Sequence, residues 1–313
     1  MKKLGVIILA SLLLLSMIGC KSDKETAKGI KVVSTIGVIH DIAKEIGKEH
    51  IQAEALMGPG VDPHLYKPVA SDIQSLSKAE VILYNGLHLE AKMGDVIGKL
   101  LGSKVVAAVA EATPKDKLLA SEDYEGLFDP HIWFDVELWV GAVDEVAKAL
   151  VKADPENKEA YLNNASAYKR KLAKTQKDVL DRIALLSPEK RILVTAHDAF
   201  RYFGKAYDFQ VKGLQGISTS TEAGTKDVQN LVAYIVDNKI PAIFVESSIP
   251  VKTIQAVQAA CKAQGWDVAI GGELFADAMG DEGTEEGTYI GMVKHNVNTI
   301  VSALLREKNA SGY

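Results

Sequence analysis

Residues 154–187 read DPENKEAYLNNASAYKRKLAKTQKDVLDRIALLS, and they set the architecture of the chain. Asp154 and Pro155 place a capping residue before a proline at the first helical position, and Pro188 follows the stretch. Apolar side chains recur at helical spacing with no internal Gly or Pro: Tyr161, Ala165, Tyr168, Leu172, Val179, Ile183 and Leu186. The pattern predicts a helix of about 31 residues, roughly 46 Å long. Because this exceeds the width of a small lobe, we expect it to join two halves of the chain; an ordinary long helix within one domain is the alternative.

The flanking regions both alternate short β-branched segments with segments of helical periodicity. On the N-terminal side we predict strands at 31–36, 51–57, 79–84 and 104–109, and helices at 38–48, 69–78 and 89–101. On the C-terminal side we predict strands at 191–195, 210–214, 241–245 and 267–270, and helices at 200–206, 226–238, 253–264 and 288–308. This alternation predicts the α/β class, with two lobes of mostly parallel sheets joined by one long rigid helix. The predicted division is an N-terminal α/β lobe at 30–153, a linker helix at 154–187 and a C-terminal α/β lobe at 188–313.

The N-terminus carries the features of an export signal. Lys2 and Lys3 precede an apolar run at 4–18, which is shorter than the roughly 20 residues of a membrane span. The run ends at Gly19-Cys20, which resembles a bacterial lipobox, and polar residues follow. We therefore predict a signal peptide at 1–19, a lipidated Cys20 with a tether at 20–29, and an extracytoplasmic protein anchored to a bacterial membrane, in the periplasm or at the cell surface. An ordinary signal with a chance cysteine and an uncleaved anchor helix are the alternatives.

Composition excludes several classes of function. The chain has 36 Lys and Arg against 41 Asp and Glu, a net charge of −5, and 6% aromatic residues, so nothing indicates a nucleic-acid partner. The phosphate-binding motif GxxxxGK[ST] is absent from the sequence, so the chain is not predicted to hydrolyse ATP. Apart from Cys20, the single cysteine is Cys261, whose position in an apolar helical pattern predicts a packing role.

Three of the seven histidines follow strand-like segments in turn-rich sequence. His64 lies in GPGVDPH, His131 in DPHIWFD and His197 in TAHD. Parallel sheets bind ligands at the carboxyl ends of their strands, and imidazole is a good ligand for borderline metals. A carboxylate commonly completes such a site, and the sequence after the last strand leaves three candidates open: Glu273, Asp277 and Asp281.

Six stretches, three of which contain these histidines, resemble the cluster A-I metal-binding lipoproteins, the zinc and manganese solute-binding proteins of ABC importers. They are GPGVDPHLYKP at 58–68, NGLHLE at 85–90, DPHIWFD at 129–135, AHDAFRYF at 196–203, GISTSTE at 216–222 and LFADAMG at 274–280. The resemblance implies two α/β lobes joined by a long helix, with one metal ion between them. It also implies that the metal ligands are His64, His131, His197 and Asp277.

The resemblance implies capture of one divalent ion and its delivery to an ABC permease that is powered by an ATPase subunit, with no chemical step. We expect a monomer that binds Zn²⁺ in preference to Mn²⁺, because many manganese-selective relatives carry Glu where this chain has His197. The stretch 113–127 contains no histidine, which weakens a purely zinc interpretation. Imidazoles must be neutral to bind metal, so we expect weaker retention below about pH 6. The alternatives are an exported zinc-dependent hydrolase, for which no general base is evident, and a metal-binding adhesin.

Several other polar residues are given structural roles. Asp62 and Asp198 adjoin predicted ligands and are expected either to orient imidazoles or to cap turns. Glu246 ends a strand, where it either faces the site or makes a structural hydrogen bond, and we expect the second; His88 is a candidate for lining the cleft. Surface or packing roles are expected for the remaining histidines and the tryptophans: His40, His50, His295, Trp133, Trp139 and Trp266.

Overall fold

The structure is a computed structural model that describes residues 29–90, 92–121 and 124–306. The predicted signal peptide and Cys20 lie outside these residues, as does the tether up to residue 28. Within the described ranges, every helix is too short or too polar to span a bilayer.

The N-terminal half contains a four-stranded parallel sheet with the strand order β2-β1-β3-β4. Its strands are β1 (Ile30–Ser34), β2 (Ile51–Ala55), β3 (Val81–Tyr84) and β4 (Val105–Ala108). The helices that connect them are α1 (Gly37–Gly47), α2 (Ala70–Lys78) and α3 (Gly94–Gly98). In the central strand, Val32 pairs with Ala53 on one side and with Val81 on the other. All four carboxyl ends therefore lie at one edge of the sheet.

The helix predicted at 89–101 is reduced to α3, Gly94–Gly98. The chain before it turns through three consecutive positive φ angles, at Gly86 (81°), Leu87 (52°) and His88 (66°). The Glu90 carboxylate then accepts hydrogen bonds from the backbone N–H groups of Asn85 and Gly86. Because these residues fold back on themselves, the helix cannot begin until the chain has left this turn.

The sequence interpretation missed one long helix, α4 (Val136–Ala153). The Asp135 carboxylate caps its first turn by accepting from the N–H groups of Glu137 and Leu138. The buried face of α4 repeats at helical spacing: Val136, Trp139, Ala142, Val143, Val146, Ala147, Ala149 and Leu150. Both signals are present in the sequence and identify the helix in retrospect.

The predicted linker helix is present as α5 (Lys158–Ile183), preceded by a 3₁₀ turn at Pro155–Asn157. Its 26 residues correspond to about 39 Å, shorter than predicted because each end tightens into other turns. The helix packs against α1 and α4 of the N-terminal half and against the last helix, α9 (Tyr289–Leu305), of the C-terminal half. It therefore contacts both halves, as its length predicted.

The C-terminal half is also built from parallel strands. They are β5 (Ile192–His197), β6 (Gln210–Gln215), β7 (Ala242–Glu246) and β8 (Ala269–Leu274). The helices beside them are α6 (Arg201–Tyr207), α7 (Thr225–Asp237) and α8 (Lys252–Ala263), followed by α9. Strand β5 pairs with β6 and β7 with β8, and β5 lies beside β7. The α/β class with mostly parallel sheets is confirmed, whereas the lobe boundaries at 30–153 and 188–313 stay predictions.

One hydrophobic core runs through both halves. It includes Val32 of β1, Leu172 of α5 and Ile300 of α9, all fully buried. A second, smaller core lies under α7 and α8 and contains Cys261, in agreement with its predicted packing role. Because the larger core is shared, the two halves are held together by packing as well as by the chain connection.

Candidate metal centre

Four buried side chains converge where the strands of the two halves end. His64 follows β2, His131 lies between β4 and α4, His197 is the last residue of β5, and Asp277 lies three residues after β8. The side chains of His131, His197 and Asp277 are fully buried, and that of His64 is 4% exposed. The imidazoles of two residues from the N-terminal half thus meet an imidazole and a carboxylate from the C-terminal half.

The repeated sequence Asp-Pro-His forms the same turn in both places. Asp62 Oδ1 accepts the backbone N–H of His64 at 2.8 Å, and Asp129 Oδ1 accepts that of His131 at 3.0 Å. Each aspartate thus closes a turn around the intervening proline, whose φ is fixed by its ring. The turn holds the following imidazole in one direction, which explains why the motif occurs twice.

The distances within the cluster match those of a four-coordinate metal site. One ligand atom from each of the four side chains lies within 4.8 Å of the others. The Nε2 atoms of His64 and His131 are 3.3 Å apart. Asp277 Oδ1 lies 3.3 Å from His131 Nε2, and Asp277 Oδ2 lies 3.3 Å from His197 Nε2 and 3.7 Å from His64 Nε2. Ligand atoms on a tetrahedron with bonds of about 2.0–2.1 Å are about 3.3–3.4 Å apart, so a borderline divalent ion fits among them.

The His131 ring is oriented from behind by a carboxylate. Its Nδ1–H donates to Asp129 Oδ1 at 2.8 Å, which leaves the Nε2 lone pair directed at the cluster when the ring is neutral. The Trp133 ring packs edge-on against the His131 ring at 5.2 Å between centroids. Trp133 Nε1 also donates to the carbonyl of Ala276, next to Asp277. As predicted, Trp133 has a packing role, and its two contacts connect His131 with the segment that carries Asp277.

His197 is held by Glu246 in the corresponding way. Its Nδ1–H donates to Glu246 Oε2 at 2.6 Å, and Glu246 Oε1 accepts the backbone N–H groups of Ala196 and His197. The carboxylate thus bridges the ends of β5 and β7 and fixes the ring at the same time. On the other side of β5, a Cβ at Gly213 would lie 2.4 Å from the backbone nitrogen of Asp198, so β6 needs a glycine to approach His197 closely.

Three of the metal-facing atoms have no hydrogen-bond partner among the described residues. Among the residues that the structure describes, His197 Nε2 and both carboxylate oxygens of Asp277 are buried and make no hydrogen bond. Buried polar groups are nearly always paired, because leaving one unpaired costs about 1–3 kcal/mol. Three such atoms, aimed at one point and joined by two further imidazole nitrogens, indicate a ligand at that point.

Burial and neighbouring charges lower the pKa values of two of the four groups and raise those of the other two. Burial, with the charges of the other two imidazoles, lowers the pKa of His64 to about 3. Burial also lowers the pKa of His131, but the charge and hydrogen bond of Asp129 outweigh it and raise the value to about 9. The pKa of His197 is raised well above its usual value, because Glu246 and Asp277 outweigh its burial. Burial raises the pKa of Asp277, but the surrounding imidazoles outweigh it and hold the value well below its usual range.

The remaining predicted residues fall outside this cluster. Glu273 and Asp281, which the sequence left open, are not among the four converging side chains. Asp62 closes the turn before His64 and binds the Thr219 hydroxyl at 2.5 Å, and Asp198 forms an ion pair with Arg201 at 3.6 Å. Surface or packing roles were expected for the other histidines and for the tryptophans. The partial burial of His40, His50 and His295 and the full burial of Trp139 agree with these roles.

Two residues of the site were not assigned their role from sequence. Asp129 was not singled out, and for Glu246 a structural hydrogen bond was preferred to a position facing the site, with no partner named. The repeated Asp-Pro-His motif carries a signal for Asp129, because its first residue accompanies the histidine in both copies. Nothing local indicates Glu246, since it is 49 residues from His197 and meets it because β5 lies beside β7.

Comparison with known proteins gives concordant matches over most of the chain. A family described as zinc-uptake complex component A, periplasmic (ZnuA), matches residues 32–303. The zinc-binding protein TroA of Treponema pallidum is 52% identical over 275 residues, which are 88% of this chain and 89% of that protein. The manganese-binding lipoprotein MntA of Bacillus subtilis is 48% identical over 92% of this chain and 95% of that protein.

A third relative is named for its transport system. It is the manganese ABC transporter substrate-binding lipoprotein PsaA of Streptococcus anginosus, 31% identical over 97% of this chain and 99% of that protein. The solved structure of the T. pallidum periplasmic zinc-binding protein TroA superposes with a TM-score of 0.86 at 51% identity, over 88% of this chain and 99% of that one. Fold and sequence therefore agree on the same group of proteins.

Proposed function

This chain belongs to the ZnuA family of zinc-uptake components, and from that membership we propose that it captures one divalent transition-metal ion between its two lobes for an ABC importer. The ligands in this proposal are His64, His131, His197 and Asp277. The chain acts by binding and release, and it is not an enzyme: its relatives are named as binding proteins and substrate-binding components. Neither the hydrolase nor the adhesin alternative has support among them.

The observation that carries this proposal is the convergence of four buried side chains whose ligand atoms lie within 4.8 Å of one another, three of those atoms having no hydrogen-bond partner. Each half contributes two side chains, so an ion that binds all four must bridge the halves. Four protein ligands leave no open position for a reacting water, which is the feature that catalytic zinc sites retain. The site therefore suits holding an ion rather than chemistry on a substrate.

The ligand set favours Zn²⁺ and permits Mn²⁺. Three imidazoles and one carboxylate are typical of zinc, whereas manganese prefers more oxygen ligands. Asp277 directs Oδ1 towards His131 and Oδ2 towards His64 and His197, so it can bind an ion through one oxygen or both. A two-oxygen mode would raise the coordination number, as manganese prefers. The relatives named for zinc and for manganese accord with a site of this kind.

We further propose that the chain is a monomer that is anchored by lipid on Cys20 and meets a membrane permease with a cytoplasmic ATPase subunit. The relatives named as lipoproteins and as ABC transporter components support this location and these partners. The lipobox-like end of the apolar N-terminal segment supports the anchor.

The test is the metal content of a soluble form that begins after Cys20, measured by elemental mass spectrometry. We expect about one Zn or Mn per chain in the parent, and loss of the metal in His64→Ala and Asp277→Ala. Asp281→Ala is the matched control, since Asp281 is an exposed carboxylate four residues after Asp277.

Two results would contradict this proposal. One is a parent protein that takes up no metal from an excess of Zn²⁺ or Mn²⁺. The other is an Asp277→Ala variant that retains the metal as well as Asp281→Ala does.

A further inference from the structure

The sequence motif NGLHLE at 85–90 has no part in the four-ligand cluster, yet its backbone is strained. Gly86, Leu87 and His88 all have positive φ, and for residues other than glycine this conformation costs about 1–2 kcal/mol each. Strain of this kind persists when surrounding contacts impose it, and it is found preferentially at functional sites.

Buried hydrogen bonds hold this turn in place. Glu90 is fully enclosed, and its Oε1 accepts from Asn85 N at 2.7 Å and from Thr35 Oγ1 at 2.6 Å. Asn85 Nδ2 donates to the carbonyl of Pro130 at 3.0 Å, directly before His131. The turn is thus tied to β1 and to the loop of a proposed ligand, and its geometry determines where the His88 side chain lies.

His88 lines a cavity that reaches the four-ligand cluster. The cavity has a volume of about 200 Å³ and contains His64 in its wall, so it has room for several water molecules. His64 is also the member of the cluster whose side chain is partly exposed, at 4% against none for the other three. A larger cavity, about 960 Å³ beside α1 and β2, contains none of the four side chains in its wall. Of these two cavities, the smaller one reaches His64.

The wall of this cavity offers few groups that can bind a cation. Its described residues are mainly apolar or aromatic, and its two serine hydroxyls, of Ser218 and Ser220, lie 2.9 Å from each other. The two histidines among its described residues are His64 on the inner side and His88. Of the seven histidines of the chain, all of which the structure describes, His88 alone is exposed.

We propose that His88 is an entry ligand, which takes an arriving metal ion at the mouth of this cavity and passes it to His64. This inference rests on the proposed function, since it concerns the route to the same site. An arriving ion exchanges one bound water for the His88 imidazole before it loses the rest of its hydration shell within the cluster. The same imidazole takes the ion on the way out, so His88 accelerates exchange in both directions without belonging to the final ligand set.

The test is stopped-flow measurement of Zn²⁺ association and of its release to a chelator, in the parent and in His88→Asn. Asparagine tolerates positive φ but lacks the imidazole, so the turn is retained while the entry ligand is lost. We expect both rate constants to fall together, by about tenfold, and the dissociation constant to stay within about twofold. His88→Asp has the same shape and tolerance but supplies a carboxylate ligand, so we expect rates close to those of the parent. His50→Asn, which replaces a histidine far from the cavity, is the control and should change neither rate.

The outcomes separate this inference from the proposed function. Unchanged rates in His88→Asn, with one metal bound per chain, would overturn the entry role and leave metal capture intact. Equal slowing in His88→Asn and His88→Asp would also overturn it, because ring packing rather than ligation would then be responsible. A larger dissociation constant that is caused by faster release alone would place His88 in the final ligand set, contrary to the proposal. A parent protein that binds no metal would remove both proposals.

Discussion

Single residues behind the cluster set the direction and the basicity of its imidazoles. Asp129 and Glu246 each accept the Nδ1–H of one histidine and also accept the backbone N–H of that same histidine. A ligand that is fixed in this way loses little conformational freedom when an ion binds, and its Nε2 is made more electron-rich.

Replacing Glu246 tests this arrangement. In Glu246→Gln the side chain keeps its size, but its negative charge is lost and one end becomes a donor that cannot accept from His197. We expect metal affinity to fall by about 10–100-fold while the fold is retained, as measured by competition with a chelator and by circular dichroism. Glu273→Gln, on the neighbouring strand β8 and outside the cluster, is the matched control. Equal affinities of the two variants would contradict the role given to Glu246.

Acidification should weaken metal binding over a wider range than free histidine would suggest. In the metal-free protein His131 and His197 hold protons at neutral pH, since the pKa of His131 is about 9 and that of His197 is well above its usual value. Both protons must leave before the ion binds, so affinity rises with pH up to that range and falls as pH is lowered. His64, with a pKa of about 3, is already neutral and adds nothing to this dependence near pH 7.

We therefore expect the logarithm of the association constant to rise by up to about two units per pH unit between pH 6 and 8. Isothermal titration in buffers of different ionisation enthalpy should show about two protons released per Zn²⁺ bound. An association constant that does not change with pH over this range would contradict the assignment of the two protonated imidazoles. The prediction made from the ordinary histidine pKa, weaker retention below about pH 6, is tested by the same titrations.

At the level of elements, α5 is held by its contacts with both halves. Its Tyr168 hydroxyl donates to Asp41 of α1 at 2.9 Å, and the same carboxylate oxygen accepts from the N–H of Tyr289 at the start of α9. Three helices therefore meet at one half-buried carboxylate. The apolar stripe of α5 faces the shared core, and its opposite face carries ion pairs such as Lys174–Asp178, which contribute little to stability.

Alanine substitutions of two leucines in α5 show how much the buried stripe contributes to the free energy of unfolding, apart from helix propensity. Leu172 is fully buried, whereas Leu180 is 46% exposed on the same helix. We expect Leu172→Ala to lower the free energy of unfolding by about 2–5 kcal/mol, because it leaves a cavity in the shared core. Leu180→Ala should change it by about 0.5 kcal/mol or less. Urea unfolding of the metal-free protein measures both, and equal losses would show that the stripe is not the main packing surface of the helix.

At the level of the whole molecule, the site is formed where the halves meet, and several contacts besides the cluster cross that junction. Asp62 accepts from Thr219, Lys44 pairs with Glu282 at 2.8 Å, and the larger core is continuous between the halves. None of these three contacts involves the four ligand side chains. The protein is therefore preorganised, and the ion has little rearrangement to drive.

We expect metal removal to leave the overall shape nearly unchanged. Small-angle scattering of metal-free and Zn²⁺-loaded protein should give radii of gyration within about 1 Å of each other. A metal-free form that is clearly more open would contradict this expectation and would mean that the ion, rather than the shared core and α5, holds the halves together. Thermal stability should still rise with Zn²⁺, because binding to the folded state alone favours it.

The sequence by itself determined the elements that depend on local pattern. The alternation of strands and helices, the long helix and the turn-forming Asp-Pro-His segments all follow from periodicity, proline and capping residues within a few positions of each other. Where it was wrong or incomplete, the cause was also specific: the helix predicted at 89–101 gave way to a left-handed turn that Glu90 imposes through Asn85 and Gly86, and α4 was missed although its cap and stripe are present.

The tertiary structure alone decided which side chains meet. From spacing, Glu273, Asp277 and Asp281 were equivalent candidates, and the resemblance to a family, rather than the pattern of residues, selected Asp277. The structure brings Asp277 beside three imidazoles that come from loops as far as 213 positions away, and it sets Glu246 against His197. Sequence patterns report contacts between neighbours along the chain, whereas a ligand cluster depends on the relative positions of strand ends in two sheets, and packing across the shared core fixes those positions.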